Sequence, residues 1–326
     1  MHILLVHQYF LSNNQGGGSR FNELTKFWQQ KGVKITVISG MVHYNTGKKD
    51  EAYKGKKFVK EVNENGINVW RCHVSESYNS HFLGRLWAYF SFVFYGTWCA
   101  FFKAKENYDL VLVTSPPLFV GIMALLISKF KKIPFVFEIR DLWPESAIDT
   151  GVLTNKTIIK LSFWLEKLIY KKASLINCLT PAFESKLIEE KNVPKSKVVM
   201  IPNAADFSIA ESLQGNFDPI EFRKTLGWNG KLVILYVGAH GVANHLIQVL
   251  QTAELLSETN VHFVLIGDGM QKKMLMETAL QKNLKNVEFL SPVSKQDIFK
   301  YISACDIGAS VLKNVDTFKT VYSNKT

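Results

Sequence analysis

The sequence predicts an α/β protein made of two doubly wound halves, and three observations predict it. Near the start an apolar run, His2-Ile3-Leu4-Leu5-Val6, leads into Gly16-Gly17-Gly18, then an amphipathic stretch and a second apolar run, Val33-Lys34-Ile35-Thr36-Val37-Ile38. The same order recurs past the middle. Leu232 to Val237 runs into Gly238-Ala239-His240-Gly241, then a helical stretch, then His262 to Gly267 with Asp268 and Gly269 behind it. The apolar runs are also continuous rather than alternating, as in parallel strands covered on both faces. Strand, glycine turn, helix, strand is the unit that offers backbone N–H groups and a helix N-terminus to an anion. Two copies a domain apart predict two Rossmann-like domains with parallel sheets facing a cleft.

Each element follows from local signals. Ser19 suits an N-cap for a helix with Phe21, Leu24, Phe27 and Trp28 on one face, and Gly32 ends it. Residues 43–66 are polar and lysine-rich and read as a loop or small excursion. Strands follow at 109–114, 135–139, 174–179 and 198–201, with helical stretches between them. Pro202-Asn203 closes the last strand, and residues 204–229 read as a connection with one short helix. The domain boundaries are thus 1–205 and 206–326. The second half holds strands near 232–237, 262–267, 287–290 and 306–311, few enough to read as an incomplete C-terminal domain.

The 326 residues suffice for two cores, and a formal net charge of +11 suggests an anionic partner. The lysines are dispersed rather than clustered along one helix or groove, which argues against nucleic acid. Cys72, Cys99, Cys178 and Cys305 lack metal or redox spacing and read as reduced thiols. With no signal-peptide pattern at the start, the expected location is cytoplasmic. Leu86 to Phe102, LWAYFSFVFYGTWCAFF, carries no charge and lies between Arg85 and Lys103. It is short of the ~20 apolar residues of a spanning helix. A core helix, a helix in a membrane interface and a span are all open.

Two loops carry chemistry. Ser12 to Ser19 is not G-x-G-x-x-G, and no acidic residue ends the second strand, which argues against a nicotinamide cofactor. Its glycines permit close backbone approach to a ligand; a loop without ligand is the alternative. Glu138-Ile139-Arg140-Asp141-Leu142-Trp143-Pro144-Glu145 ends a strand at the edge where open α/β sheets bind ligands. Charges there need a partner. Arg140 and Asp141 either meet a ligand or form a structural pair.

EIRDLWPES, preceded by TSPPLFVG at 114–121, resembles the retaining glycosyltransferases of family 4. It is similar to the branch that builds bacterial O-antigen and capsule, such as the N-acetyl-L-fucosamine transferases. YVGAHGVAN at 236–244, IGDGMQKKMLM at 266–276, NVEFLSPVSKQDI at 286–298, ACDIGASVL at 304–312 and YSNK at 322–325 follow in that family's order. The likeness covers nearly the whole chain.

The resemblance implies a GT-B fold, with the acceptor on the N-terminal domain and a nucleotide-sugar donor, UDP-linked, on the C-terminal one. Gly238 and Gly241 match the loop that meets the donor diphosphate, and Asp268 and Gly269 the turn after the next strand. Pro292 and Val293 match the segment that touches the base, and Lys325 a basic residue near the phosphates. Gly17 and Gly18 match the loop that faces the transferred sugar. Many relatives have His-Asp at Arg140-Asp141 and an Arg and a Lys after the second glycine loop. Here Lys272, Lys273 and Lys325 are the candidate counter-charges, and the matching ribose-binding acid falls past Thr326. The implied reaction needs neither cofactor nor metal: cations and a helix N-terminus stabilise the leaving diphosphate, which itself accepts the proton. Asp141 is the best candidate for contacting sugar hydroxyls. The implied acceptor is a saccharide on a polyprenyl diphosphate, so the protein is expected on the inner face of the cell membrane. A nucleotide-sugar 2-epimerase of the same fold and a non-catalytic truncated remnant are the alternatives.

Overall fold

The computed structural model describes residues 1–12, 20–43, 47–77, 82–151, 153–204, 207–315 and 318. Backbone contacts divide the chain into two compact units, with the division between Asn203 and Ala204.

The first unit runs β1 (His2–Val6), α1 (Arg20–Gln30), β2 (Lys34–Gly40), β3 (Phe58–Val62), β4 (Asn68–Cys72), α2 (Phe82–Phe102), β5 (Leu110–Ser115), α3 (Val120–Lys131), β6 (Phe135–Ile139), α4 (Glu145–Asp149), α5 (Lys156–Lys172), β7 (Leu175–Cys178), α6 (Pro181–Ser185) and β8 (Val198–Met200). Its eight strands lie in the order β3-β4-β2-β1-β5-β6-β7-β8. All pairings are parallel except β3 with β4. Residues 43–66, read from sequence as a loop or small excursion, in fact contain β3, the edge strand of this hairpin. Phe58-Val59-Lys60-Glu61-Val62 keeps mixed polarity because an edge strand is half wet.

The pleat sends alternate residues of β1 to opposite faces. Leu4 and Val6 join the core shared with α2, α3 and α5, whereas Ile3 and Leu5 join Phe10 and Phe21 on the α1 side. Asn155 caps α5 by accepting from the N–H groups of Thr157 (3.0 Å) and Ile158 (3.1 Å). Glycines set how closely the helices approach. A Cβ on Gly121 would lie 2.2 Å from Ile169 Cδ1, and one on Gly96 would lie 2.5 Å from Met123 Cε. Cys72, Cys99 and Cys178 are buried, Cys305 is partly so, and none is in a disulfide.

The second unit runs α7 (Ser208–Leu213), α8 (Pro219–Thr225), β9 (Leu232–Val237), α9 (Ile247–Leu255), β10 (Val261–Ile266), α10 (Lys272–Gln281), β11 (Val287–Leu290), α11 (Lys295–Ala304) and β12 (Ile307–Gly308). The connection thus holds two short helices, where the sequence suggested one. The sheet order is β11-β10-β9-β12, all parallel. Tyr236, Leu250, Phe263 and Leu275 fill one face, while Trp228, Val233, Val264 and Ile266 fill the other.

Candidate active site

In the first unit the C-terminal ends of β1, β5 and β6 lie side by side and gather polar groups. His7 follows β1, and its Nδ1 shares a 2.6 Å hydrogen bond with Thr114 Oγ1 on β5. Burial holds the imidazole well below its ordinary pKa, and the charges of Arg140 and Arg71 press the same way. The ring is therefore neutral. Arg140 follows β6, with its backbone N–H on the Ser115 carbonyl at 3.0 Å. Next to it, Asp141 Oδ2 accepts from Ser146 Oγ at 2.7 Å. Burial raises the Asp141 carboxyl and Glu145 adds to the rise, against the hydrogen bonds from Ser146 and the Leu142 backbone.

Three charged networks support this edge, and composition or spacing gave no sign of their cations, Arg20, Arg71 and Lys191. Arg20, the first residue of α1, places Nε 3.2 Å from Glu138 Oε1. Its other nitrogens reach the carbonyls of Pro202 (2.8 Å) and Ile201 (3.2 Å). Asn177 Nδ2 donates to Glu138 Oε2 at 2.7 Å. Arg71 is buried, bonds Glu61 at 2.6 Å, and donates to the carbonyls of Phe10 and Leu11 where the chain leaves β1. Lys191 Nζ lies 2.9 Å from Glu166 Oε2 and also pairs with Glu145, anchoring the start of α4.

In the second unit the loops after β9 and β10 interlock. Gly238 N–H donates to Ile266 O (2.9 Å), His240 N–H to Asp268 O (2.8 Å), and Gln271 N–H to His240 O (2.9 Å). Gly267 (φ 150°) and Gly269 (φ 157°) hold conformations that side chains rarely adopt. A Cβ on Gly269 would lie 2.6 Å from the His240 carbonyl oxygen. Gly241 is different. Its φ of −106° is ordinary, and a Cβ there would meet only Asn244 Oδ1, at 3.7 Å. After Gly241 come one 3₁₀ turn, Val242–Asn244, and then α9, whose N-cap, Leu246, offers no side-chain acceptor; the N–H groups of Gln248 and Val249 donate instead to the carbonyls of His245 (3.2 Å) and Leu246 (3.0 Å).

The structure therefore brings Gly238, Gly241, Asp268 and Gly269 to one strand edge, and Arg140 and Asp141 to another. Asp268 is exposed, with Oδ1 accepting the Gly269 N–H at 2.8 Å. Val293 packs partly buried on the Trp228 side of the sheet. Lys273 is solvent-exposed, 3.9 Å from Glu277. Lys272 Nζ donates to the carbonyls of Gly267 (2.8 Å) and Leu290 (2.9 Å) and so ties strand ends together. The backbone of Lys313, just outside the motif ACDIGASVL, meets the 3₁₀ turn that follows the glycine loop: its N–H donates to Ala243 O at 2.8 Å. Gly17, Gly18 and Lys325, together with the Ser19 cap, lie outside the described residues.

A chain with two α/β units of mainly parallel strands, each with its polar loops at the C-terminal strand edge, has the GT-B fold and is of the glycosyltransferase class. It belongs to the family of the glycosyl transferase 4-like domain, whose profile matches residues 15–204; that of glycosyl transferases group 1 matches residues 218–312. WcaI of Escherichia coli (strain K12), assigned to colanic acid biosynthesis as a glycosyl transferase, is 23% identical over 301 residues, which is 91% of this chain and 73% of WcaI. WbjE of Pseudomonas aeruginosa, assigned as a glycosyltransferase, is 22% identical over 63% of this chain, and the chain spans about half of that protein (51%). Among solved structures, Anabaena HepE in complex with UDP and glucose superimposes with a TM-score of 0.64 at 19% identity, covering 96% of this chain and 74% of HepE. Sucrose-phosphate synthase from Thermosynechococcus elongatus gives 0.62 at 14%, covering 94% and 74%. No described helix is long and apolar enough to cross a membrane.

Proposed function

We propose that the chain is a retaining glycosyltransferase of bacterial surface polysaccharide synthesis, on the O-antigen or capsule pattern. It takes a sugar from a UDP-linked donor and gives it to a polyprenyl-diphosphate-linked saccharide at the inner face of the cell membrane. Residues 206–326 carry the donor and residues 1–205 the acceptor. The observation that carries this reading is Gly241. Neither its φ nor its neighbours require glycine, yet it stands in the loop between β9 and α9 at the C-terminal strand edge, where a Cβ would obstruct a ligand rather than the protein. The complexes of HepE with UDP and with UDP-glucose, and the assignment of WcaI, support the donor class and the pathway class.

In this reading the diphosphate lies against Gly238, Gly241 and the turn of Asp268 and Gly269. The N-terminal end of α9 and the cations Lys273, Lys313 and Lys325 offset its growing charge as the glycosidic bond to phosphate breaks, with no metal. Val293 contacts the base, and Gly17 and Gly18 face the sugar. The sugar passes through an oxocarbenium-like state, and the acceptor oxygen attacks from the face the phosphate leaves. The departing phosphate oxygen takes the acceptor proton. Asp141, steadied by Ser146, and Arg140 hold sugar hydroxyls.

The test is a screen of UDP-sugars against polyprenyl-diphosphate-linked acceptors, read as UDP release and as the anomeric configuration of the product. UDP binding is measured alongside by calorimetry. Retention with one donor is the expected result. An inverted product overturns the retaining mechanism, release of a 2-epimer without transfer points to an epimerase, and no UDP binding sinks the reading.

A further inference from the structure

Helix α2 carries large apolar side chains on two sides. Its buried side sets Phe92 and Val93 among small residues, Gly84, Ala88, Ser91, Gly96, Cys99 and Ala100. On its outward side Trp87, Phe90, Phe94, Trp98 and Phe102 are exposed. Steps of three and four residues put the rings in one stripe along the helix. Trp87 and Phe94 are each 61% exposed. Soluble proteins expose single apolar side chains freely, whereas a continuous row of this length marks a docking surface.

The neighbouring helices extend the row and supply its charge. α2 packs on α3 and α3 on α5, and Phe130 at the end of α3 meets the Phe101 ring at 5.8 Å. On the outward face of α5, Trp164 is 63% exposed and has Lys160, Lys167 and Lys171 at four residues before, three after and seven after, all exposed. Leu161 is exposed alongside. The one acidic residue of α5, Glu166, is buried on Lys191, and the described sequence of α2 and α3 contains none. Exposed rings amid lysines with no exposed acid match an anionic bilayer, where aromatics sit at headgroup depth and lysines stay at the phosphates. A second copy would set lysines against lysines.

We propose that the outward face of α2, α3 and α5 is a membrane-docking surface, with the α2 rings inserted at headgroup depth of an anionic bilayer and the α5 lysines on its phosphates. This inference deepens the membrane part of the reading above and is independent of its chemistry.

Vesicle sedimentation of the full chain tests it, with phosphatidylethanolamine–phosphatidylglycerol vesicles against phosphatidylcholine alone. One variant combines Trp87→Ser, Phe94→Ser and Trp98→Ser; a second combines Lys160→Gln, Lys167→Gln and Lys171→Gln. The altered side chains are exposed, and melting temperature checks that both variants fold. The wild type should sediment with the anionic vesicles. The serine variant should stay in the supernatant, and the glutamine variant should lose about fivefold in affinity per lysine at low salt along with most of its salt dependence. A wild type that binds neither vesicle overturns the proposal, as does a serine variant that binds like the wild type. So does a wild-type dimer that the serine changes split without altering vesicle binding, since a second copy would then cover the face. UDP affinity, measured without lipid, tests the enzymatic reading separately.

Discussion

A Cβ on Gly267 would lie 1.9 Å from the carbonyl oxygen of Gly238. The two glycines end neighbouring strands, and the Gly238 N–H is bonded back to Ile266. Backbone against backbone cannot yield as a side chain can, and the φ of 150° at Gly267 disfavours any other residue. Gly267→Ala should therefore cost about 3 kcal/mol or more of stability, read by urea unfolding. A cost within about 0.5 kcal/mol, the range of an ordinary surface change, would show that the loops separate easily.

Gly241→Val should do the opposite. Its φ and its surroundings accept a branched side chain, so stability should stay within about 0.5 kcal/mol. UDP affinity by calorimetry should fall by about tenfold or more, equivalent to ~1.4 kcal/mol. Unchanged affinity would remove Gly241 from the donor site.

Asp141→Asn separates function from stability. Burial raises the folded carboxyl pKa above its unfolded value, so the ionised group opposes folding at pH values above both. Asparagine keeps an acceptor for Ser146 and carries no charge. The melting temperature at neutral pH should hold or rise, while turnover should fall on the order of 100-fold if the carboxylate holds a sugar hydroxyl. A sharp drop in melting temperature with turnover intact would make the Arg140–Asp141 pair structural.

His7 should show in acid. Its folded pKa is lowered, so below about 6.5 the unfolded chain takes up a proton that the folded ring refuses. The stability linked to the neutral ring is present above that pH and is lost as pH falls through it. His7→Gln should flatten the decline in stability between about pH 7 and pH 5. His2 and His73, lowered mainly by burial, leave a residual slope. An unchanged slope would mean that His7 reaches solvent.

Lys191→Met strands two acidic side chains. Burial already raises the Glu166 carboxyl, and the Lys191 charge is what opposes that rise. Removing a partner from a buried ion network costs roughly 3–5 kcal/mol. The loss should shrink as pH falls and Glu166 protonates, because burial raises its folded pKa above the unfolded one once Lys191 no longer opposes the rise. A loss that does not change with pH would assign the effect to packing instead.

The strands were legible wherever both faces are covered: β1, β5, β6 and β10 are mostly apolar runs, each with only one or two polar residues. The hairpin of β3 and β4 was not, because Lys60 and Glu61 on the edge strand resemble loop residues. Glycine positions were legible but not their reasons. Gly238, Gly241 and Gly269 look alike in sequence, and only geometry shows that Gly269 serves packing against His240 while Gly241 does not. Glu138 and Glu145 were visible as strand-end charges in need of a partner, but the partners were not. Arg20 and Glu138 are 118 positions apart, and nothing local to either marks the pair.

Gly96 has a further consequence. A Cβ there would press on the end of the Met123 side chain, so glycine lets α2 lie close on α3. The rings on its other side stand outward, and no exposed acidic residue of α3 or α5 masks them. In lipid-free buffer the molecule therefore carries an apolar row along one side. Handling properties such as adsorption to plastic, loss on filters and rescue by mild detergent then become readouts of that row, far from any reacting atom.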